Sequence, residues 1–238
     1  MLQGKGSKVE KNLLELFKRC LDAEYIHTEN AGDYAIEIEG NRLYLLFQWS
    51  SGKEDWKNNF NFPGKAYKHG IDKWFCHRGF LKVWKAIRDR LEPRVLSILQ
   101  TSNIDNIICV GYSHGAAIAG LATEDMEFIY GSVYSVHGYG FGCPRFVFGI
   151  LPRAVKKRFK RFTPVRNIPD LVTHVPPFLW GYGHGGKLLR VGRAFDFIKL
   201  WKIPFFKFRG AIKAHYAEKY ISELEKLSLL KEKEKEEE

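Results

Sequence analysis

Five consecutive residues, Gly111-Tyr112-Ser113-His114-Gly115, carry the sharpest chemical signal in the chain. They fit G-x-S-x-G, a pattern with mechanical meaning when a buried strand precedes it and a helix follows. The serine then sits on a tight, strained turn, and side chains two residues before or after it would collide with the backbone. Gly111 and Gly115 have none. A serine hydroxyl is a poor nucleophile until a histidine takes its proton, and that histidine needs a carboxylate to fix its tautomer and stabilise its cation.

The base and the acid are sought downstream. His114, His137, His174, His184 and His215 follow the serine. His114 cannot swing back from the turn, and His137 falls inside the next strand. His215 comes last, at the head of a closing helix, with ample chain to reach the strand ends, and is the preferred base. Asp170, in Arg166-Asn167-Ile168-Pro169-Asp170, follows a strand at its carboxyl end, where ligands of open α/β sheets gather, and is the preferred acid. Its competitor is Asp196, in an aromatic stretch. Charge on a carbonyl oxygen also needs preorganised donors. The backbone NH of His114 is one candidate, and Ser50, closing the strand end Leu45-Leu-Phe-Gln-Trp-Ser-Ser51, offers an NH and a hydroxyl.

The elements that must position these groups are legible from periodicity. Residues 9–24 space Leu13, Leu14, Leu16, Phe17 and Leu21 as an amphipathic helix. Tyr34, Ile36 and Ile38 alternate with polar neighbours, Gly40-Asn41 supplies a turn, and Leu43 to Phe47 is an apolar run, so a hairpin leads into a buried strand. Residues 50–70 read as a long polar excursion. Residues 80–100 are rich in helix formers, and Pro93 predicts one broken helix or two. Strands at 106–112, 134–142, 162–167 and 187–193 alternate with helices after Gly115, at 151–159 and at 214–230. That alternation predicts an α/β fold with a mainly parallel sheet and helices on both faces. One domain over 1–230, followed by a charged tail at 231–238, is expected.

Composition narrows the function classes. The 238 residues are 45% hydrophobic and 27% charged, which excludes a disordered chain and a coiled coil. No apolar run approaches the roughly 20 residues of a membrane-spanning helix, and residues 1–10 are charged and glycine-containing rather than apolar. A cytoplasmic or membrane-peripheral chain without a signal peptide is therefore expected. The net charge of +11 favours an anionic partner. No nucleic-acid-binding motif accompanies the charge, so nucleic acid is not the expected partner, and an anionic membrane surface or an acidic protein is left. Cys20, Cys76, Cys109 and Cys143 lie far apart with no C-x-x-C pair and are read as reduced core thiols.

Several ordered motifs together resemble one family. Besides the serine pentapeptide these are Asp55-Trp56, His77-Arg78-Gly79-Phe80 opening a helix, and Phe141-Gly142-Cys143-Pro144-Arg145 after a strand. The segment Val165 to Asp170 leading to Val175-Pro176-Pro177, and then His215-Tyr216, complete the series. From about residue 34 to 224 the chain resembles the class 3, fungal-type triacylglycerol lipases. The resemblance implies an α/β-hydrolase fold and a triad of Ser113, Asp170 and His215. It also puts a lid at 51–62, with few aliphatics in this chain. His77 and Arg145 are expected to fix loops by hydrogen bonds rather than to touch substrate. Two departures stand out: Phe47-Gln48-Trp49-Ser50 replaces the family's Phe-Arg-Gly-Thr or Phe-Arg-Gly-Ser, and Ala116 replaces a second glycine.

The expected function is hydrolysis of lipid carboxylic esters, of triacylglycerol lipase or phospholipase A type, through an acyl-enzyme that needs no metal or organic cofactor. The alternatives are a serine esterase for dissolved substrates on the same fold and a non-catalytic basic membrane-binding module. Residues 194–209 interleave aromatics with Lys199, Lys202, Lys207 and Arg209 and read first as a core loop whose aromatics pack inward while the lysines reach water, with a lipid-docking rim of the active-site mouth as the alternative.

Overall fold

The structure, a computed structural model, describes residues 13–28, 32–48, 64–69, 71–192 and 213–236. Ser50, Asp196, the 51–62 segment and residues 194–209 lie outside the described residues. In chain order the elements are α1 (Leu13–Asp22), β1 (Asp33–Glu39), β2 (Arg42–Gln48), β3 (Gly64–His69), β4 (Asp72–His77), α2 (Arg78–Thr101), β5 (Asn106–Tyr112) and α3 (His114–Tyr130). They continue with β6 (Ser135–Phe141), β7 (Val147–Phe148), α4 (Arg153–Arg158), β8 (Phe162–Asn167), β9 (Tyr182–Gly183), β10 (Leu189–Val191) and α5 (Ala217–Glu236).

Among the described residues the main sheet has six strands in the order β1-β2-β5-β6-β8-β10. Only the β1–β2 hairpin is antiparallel in it; the other pairings are parallel. Strand β5 lies inside this sheet, and Ile107, Ile108, Cys109 and Val110 are all buried. Its two faces serve two cores. Ile107 and Cys109 pack with residues of α2 and α3, whereas Ile108 and Val110 pack with Leu16 and Phe17 of α1 and Tyr220 and Leu224 of α5. A strand covered on both faces has no polar side to show, which is why 106–112 reads as continuous apolar sequence.

Two expectations are corrected. Pro93 does not break the second helix: α2 runs unbroken from Arg78 to Thr101. Both Pro93 and Asp89, whose carbonyl loses its i+4 donor, are exposed, so water can take the place of the missing bond. The polar 50–70 stretch is not all excursion either. Its end, Gly64–His69, pairs antiparallel with Asp72–His77, and β7 and β9 extend this pair to a second sheet in the order β3-β4-β7-β9. Alternation is masked there because Tyr67 and Trp74 face the core among lysines.

Buried polar groups lock that second sheet to the helices. The Asp125 carboxylate of α3 accepts from Tyr67 of β3 and, at 2.6 Å, from Trp84 Nε1 of α2. Arg158 of α4 donates to Glu124 of α3 at 2.6 Å and to Asp72 of β4 at 2.9 Å. The four cysteines are free and buried.

The turn between β5 and α3 depends on close backbone approach. A Cβ on Gly115 would lie 2.1 Å from the carbonyl oxygen of Phe47 in β2, and one on Gly111 would lie 2.1 Å from the carbonyl oxygen of Gly115. Neither obstacle is a flexible side chain, so strand or helix would have to move. Gly115→Ala should therefore destabilise the protein by about 2 kcal/mol or more, read as a lowered urea midpoint. An unchanged midpoint would mean that β2 and α3 separate freely.

Candidate active site

Ser113 stands between β5 and α3 with φ 57° and ψ −121°, the only non-glycine residue with positive φ among the described residues. Such a conformation costs on the order of 1–3 kcal/mol and survives only where neighbours over-determine it. Here the Ser113 NH donates to Phe141 O at 2.8 Å, and its carbonyl accepts from Ala116 N at 3.0 Å. The small residues Ala116, Ala117, Ala119 and Ala122 are buried and let α3 lie close to the sheet.

The structure brings Ser113, His215 and Asp170 together. His215 Nε2 lies 2.8 Å from Ser113 Oγ, and Nδ1 lies 2.8 Å from Asp170 Oδ2. Asp170 is wholly buried, and its carboxylate accepts further bonds from Val172 N at 2.8 Å and Tyr220 OH at 2.6 Å. An ionised carboxylate only accepts, so Nδ1 of His215 carries the proton and Nε2 is left to accept from the serine hydroxyl. The arrangement can therefore withdraw the serine proton and shelter the resulting imidazolium beside a fixed negative charge.

Each side chain arrives by its own route. Asp170 is held locally: Thr173 Oγ1 donates to its backbone carbonyl at 2.8 Å, and Val172 N caps its side chain. His215 arrives on the short turn before α5, against Gly142, where a Cβ would come within 2.7 Å of the imidazole. The His114 amide opens α3, at the positive end of the helix.

His77 and Arg145 fix loops, as their sequence context suggests. His77 Nδ1 accepts from Gly79 N at 3.1 Å and caps α2. Arg145 donates to the carbonyls of His174 at 2.5 Å and Pro176 at 3.1 Å, behind the Asp170 turn. His137 lies in β6 beside Ser135 Oγ at 3.1 Å, as expected of a sheet residue.

Three residues at the site were not singled out from the sequence. Tyr220 bonds the carboxylate, while the Asn167 backbone NH donates to Tyr220 OH at 3.0 Å. The Asn167 side chain donates to the carbonyl of Ala214 at 3.0 Å. Tyr112 stacks on His215. Tyr220 had a weak signal, an aromatic five residues past the candidate base at the start of an amphipathic helix; Tyr112 and Asn167 had none beyond their places in the segments that carry site residues.

With this geometry in place, residues 44–180 match the model of the lipase (class 3) family. The chain belongs to the class 3 lipase family. It is 28% identical over 167 residues to the secreted mono- and diacylglycerol lipase A of Penicillium cyclopium and of Penicillium camembertii. Those matches cover 64% of this chain and 52% of each relative, so the chain spans about half the length of the curated relatives it matches. Among solved structures it is similar to the Rhizomucor miehei lipase propeptide complex, with a TM-score of 0.61, 20% identity, 78% of this chain covered and 69% of that one. It is also similar to the lipase of Rhizopus microsporus var. chinensis, with a TM-score of 0.59, 24% identity and coverage of 73% and 63%. These likenesses establish the α/β-hydrolase-type fold of this class 3 lipase family member.

The comparisons overturn the expected cytoplasmic or membrane-peripheral location, because both curated relatives are named secreted lipases. That expectation leaned on the charged composition of residues 1–10, which carries no information on compartment. No described helix is long and apolar enough to cross a membrane.

Behind the serine, His77, Phe80 and His114 form an aromatic row with centroid separations of 4.4 and 4.8 Å. Burial pushes His77 down to about 4, and burial with the neighbouring His77 pushes His114 down to about 3. Both are neutral at pH 7. Unfolded histidine titrates near 6.5, so between about pH 6.5 and 4 the unfolded state binds more protons, and stability falls as pH falls. For His77 the full loss, reached below pH 4, is roughly 3 kcal/mol. His77→Asn keeps a side-chain acceptor at the cap and removes this titration. The variant should lose less stability than the parent between pH 7 and pH 4 in urea unfolding, and parallel pH curves would exclude the buried imidazole as the cause.

Proposed function

We propose that this class 3 lipase family member is a serine hydrolase that cleaves the carboxylic esters of lipids. The observation that carries the reading is the hydrogen-bonded series from Ser113 Oγ through the His215 imidazole to the Asp170 carboxylate, 2.8 Å at each step. Ser113 attacks the ester carbonyl while His215 takes its proton and passes it to the leaving alcohol. The same histidine then activates a water that releases the acyl group and restores the serine. Asp170 holds the tautomer throughout. The oxyanion is met by the His114 amide together with the amide and hydroxyl of Ser50. Acylglycerols are the substrates we favour, since the two Penicillium relatives are named mono- and diacylglycerol lipases.

An anionic lipid surface is the partner we propose for the basic body. Besides the net charge of +11, Phe178, Leu179 and Trp180 stand exposed in succession on one turn. The bond from Gly149 N to Gly181 O brings the fully exposed Ile150 loop beside them. On the same second sheet, Lys68 and Lys73 oppose each other directly across β3 and β4, a like-charge pairing that costs the sheet stability. Aromatic and aliphatic tips flanked by cations suit an interface between apolar chains and anionic headgroups.

Fluorophosphonate labelling and ester turnover should both vanish in Ser113→Ala while the protein stays folded. Asp170→Asn should cost about 10⁴ in kcat if the tautomer logic of serine proteases carries over, whereas Asp196→Asn should cost little. Labelling that survives Ser113→Ala would remove the proposed nucleophile. Faster turnover of dissolved than of emulsified esters would favour a soluble-substrate esterase. Vesicles of equimolar phosphatidylcholine and phosphatidylserine should bind the protein more tightly than phosphatidylcholine alone, and less so as salt rises. Combined Phe178→Ser, Leu179→Ser and Trp180→Ser should weaken that binding, and indifference to lipid charge would discard the anionic surface.

A further inference from the structure

Tyr112 occupies the second position of the Gly-Tyr-Ser-His-Gly pentapeptide, a position that the pattern leaves open. Its side chain leaves the sheet toward α1 and α5, where Phe17 meets its ring edge-on at 5.3 Å and Tyr220 at 6.3 Å. Pinned between them, the Tyr112 ring lies against the His215 imidazole with centroids 5.3 Å apart and planes inclined by only 21°. The Tyr112 hydroxyl donates to the backbone carbonyl of His215 itself. Burial, with the Asp170 and Glu218 carboxylates nearby, pushes the phenol well above its ordinary value, so it remains a donor across the working pH range.

The neighbouring carbonyl is gripped as well. Ala214 O accepts from Asn167 Nδ2 at 3.0 Å, and Asn167 is buried at the end of β8. Two successive carbonyls, 214 and 215, are thus held from the ends of two strands of the main sheet, β5 and β8. This matters because an imidazole must meet Ser113 Oγ and Asp170 Oδ2 at once, and its side chain has two free torsions with which to miss. Fixing the carbonyl sets the origin of the side chain, and the flat Tyr112 ring leaves the imidazole one plane in which to lie. A misplacement of about 1 Å in such an assembly costs on the order of 100-fold in rate. When His215 takes the serine proton, its charge also forms against the electron-rich face of that ring.

We infer that Tyr112 is a positioning residue for His215, acting through its hydroxyl on the His215 carbonyl and through its ring on the imidazole. The inference rests on the reading of Ser113, His215 and Asp170 as a triad.

Three proteins test it, Tyr112→Phe, Tyr112→Leu and the parent, with Ser113→Ala assayed beside them. The readouts are kcat and KM on a short dissolved p-nitrophenyl ester, the low-field Nδ1 proton resonance of His215, and the urea midpoint. Tyr112→Phe keeps the stack and loses one hydrogen bond, so kcat should fall about tenfold with KM within about twofold. Tyr112→Leu loses both, so kcat should fall about 100-fold and the low-field resonance should broaden or vanish. Recovery of the resonance in Tyr112→Phe relative to Tyr112→Leu would assign its order to the ring. If Tyr112→Leu does not fold, the Tyr112→Phe kinetics decide alone: kcat within twofold of the parent overturns the role of the hydroxyl. A folded Tyr112→Leu with parental kcat and resonance overturns the whole inference. Turnover that persists in Ser113→Ala would instead mean that the triad reading has failed, which separates the two outcomes.

Discussion

The crossing of α3 over β2 and β5 is the constraint on which the rest of the site depends. Gly115 touches the backbone of Phe47, and Gly111 touches the backbone of Gly115, with no side chain between them. That contact lets β5 turn into α3 within the single strained residue Ser113. The strain costs a few kcal/mol at most, and a buried layer of small helix residues against a sheet covered on both faces can supply that many times over. Loosening the crossing would let Ser113 relax toward ordinary backbone, and its hydroxyl would leave the line to His215.

Around this fixed point the electrostatics are arranged by burial. Asp170 is removed from water, and three donors converge on its carboxylate: the Val172 NH, the Tyr220 hydroxyl and His215 Nδ1. A buried carboxylate without donors would be costly, and one with a fixed donor set is rigid, so it orients whatever fills the remaining place. His77 and His114 follow the opposite rule. Burial drives both toward the neutral form, so the row behind the serine stays uncharged at neutral pH.

Much of this was legible in the residues, for physical reasons that differ along the chain. The serine turn was readable because its two glycines and the apolar run before them answer steric demands that few sequences meet. Strand β5 was readable because both of its faces are buried. Strands β3 and β4 were not, because their inward residues Tyr67 and Trp74 are interleaved with Lys68, Lys73 and other polar positions. Pro93 misled because the carbonyl it leaves without a donor belongs to an exposed stretch of α2, where water can take the missing bond and the helix continues. The pairing of Asp170 with His215 could be ordered along the chain, yet the part played by Tyr220 could not. That contact joins the turn after β8 to the first turn of α5, 50 residues on, and the local pattern of neither names the other as its partner.

The three proposed catalytic side chains are therefore not equally secured. Ser113 and Asp170 follow β5 and β8 of the main sheet and are tied to its framework and to their own turns, Ser113 through the Phe141 carbonyl and the Ala116 amide and Asp170 through the Val172 amide and the Thr173 hydroxyl. His215 is held from outside, by Tyr112, Asn167 and Gly142 at the strand ends and by the docking of α5, whose Tyr220 and Leu224 pack with Phe17 of α1. A helix docked on the outer face of a sheet can open at lower free energy than the central strands beneath it. Opening of α5 would carry away Tyr220 and release the imidazole while leaving the serine turn and the sheet intact, and opening of α1 would remove the Phe17 ring that Tyr112 and Tyr220 share. In this fold, competence for chemistry is thus a more fragile property than foldedness, and it is set by the two helices on the face away from α3.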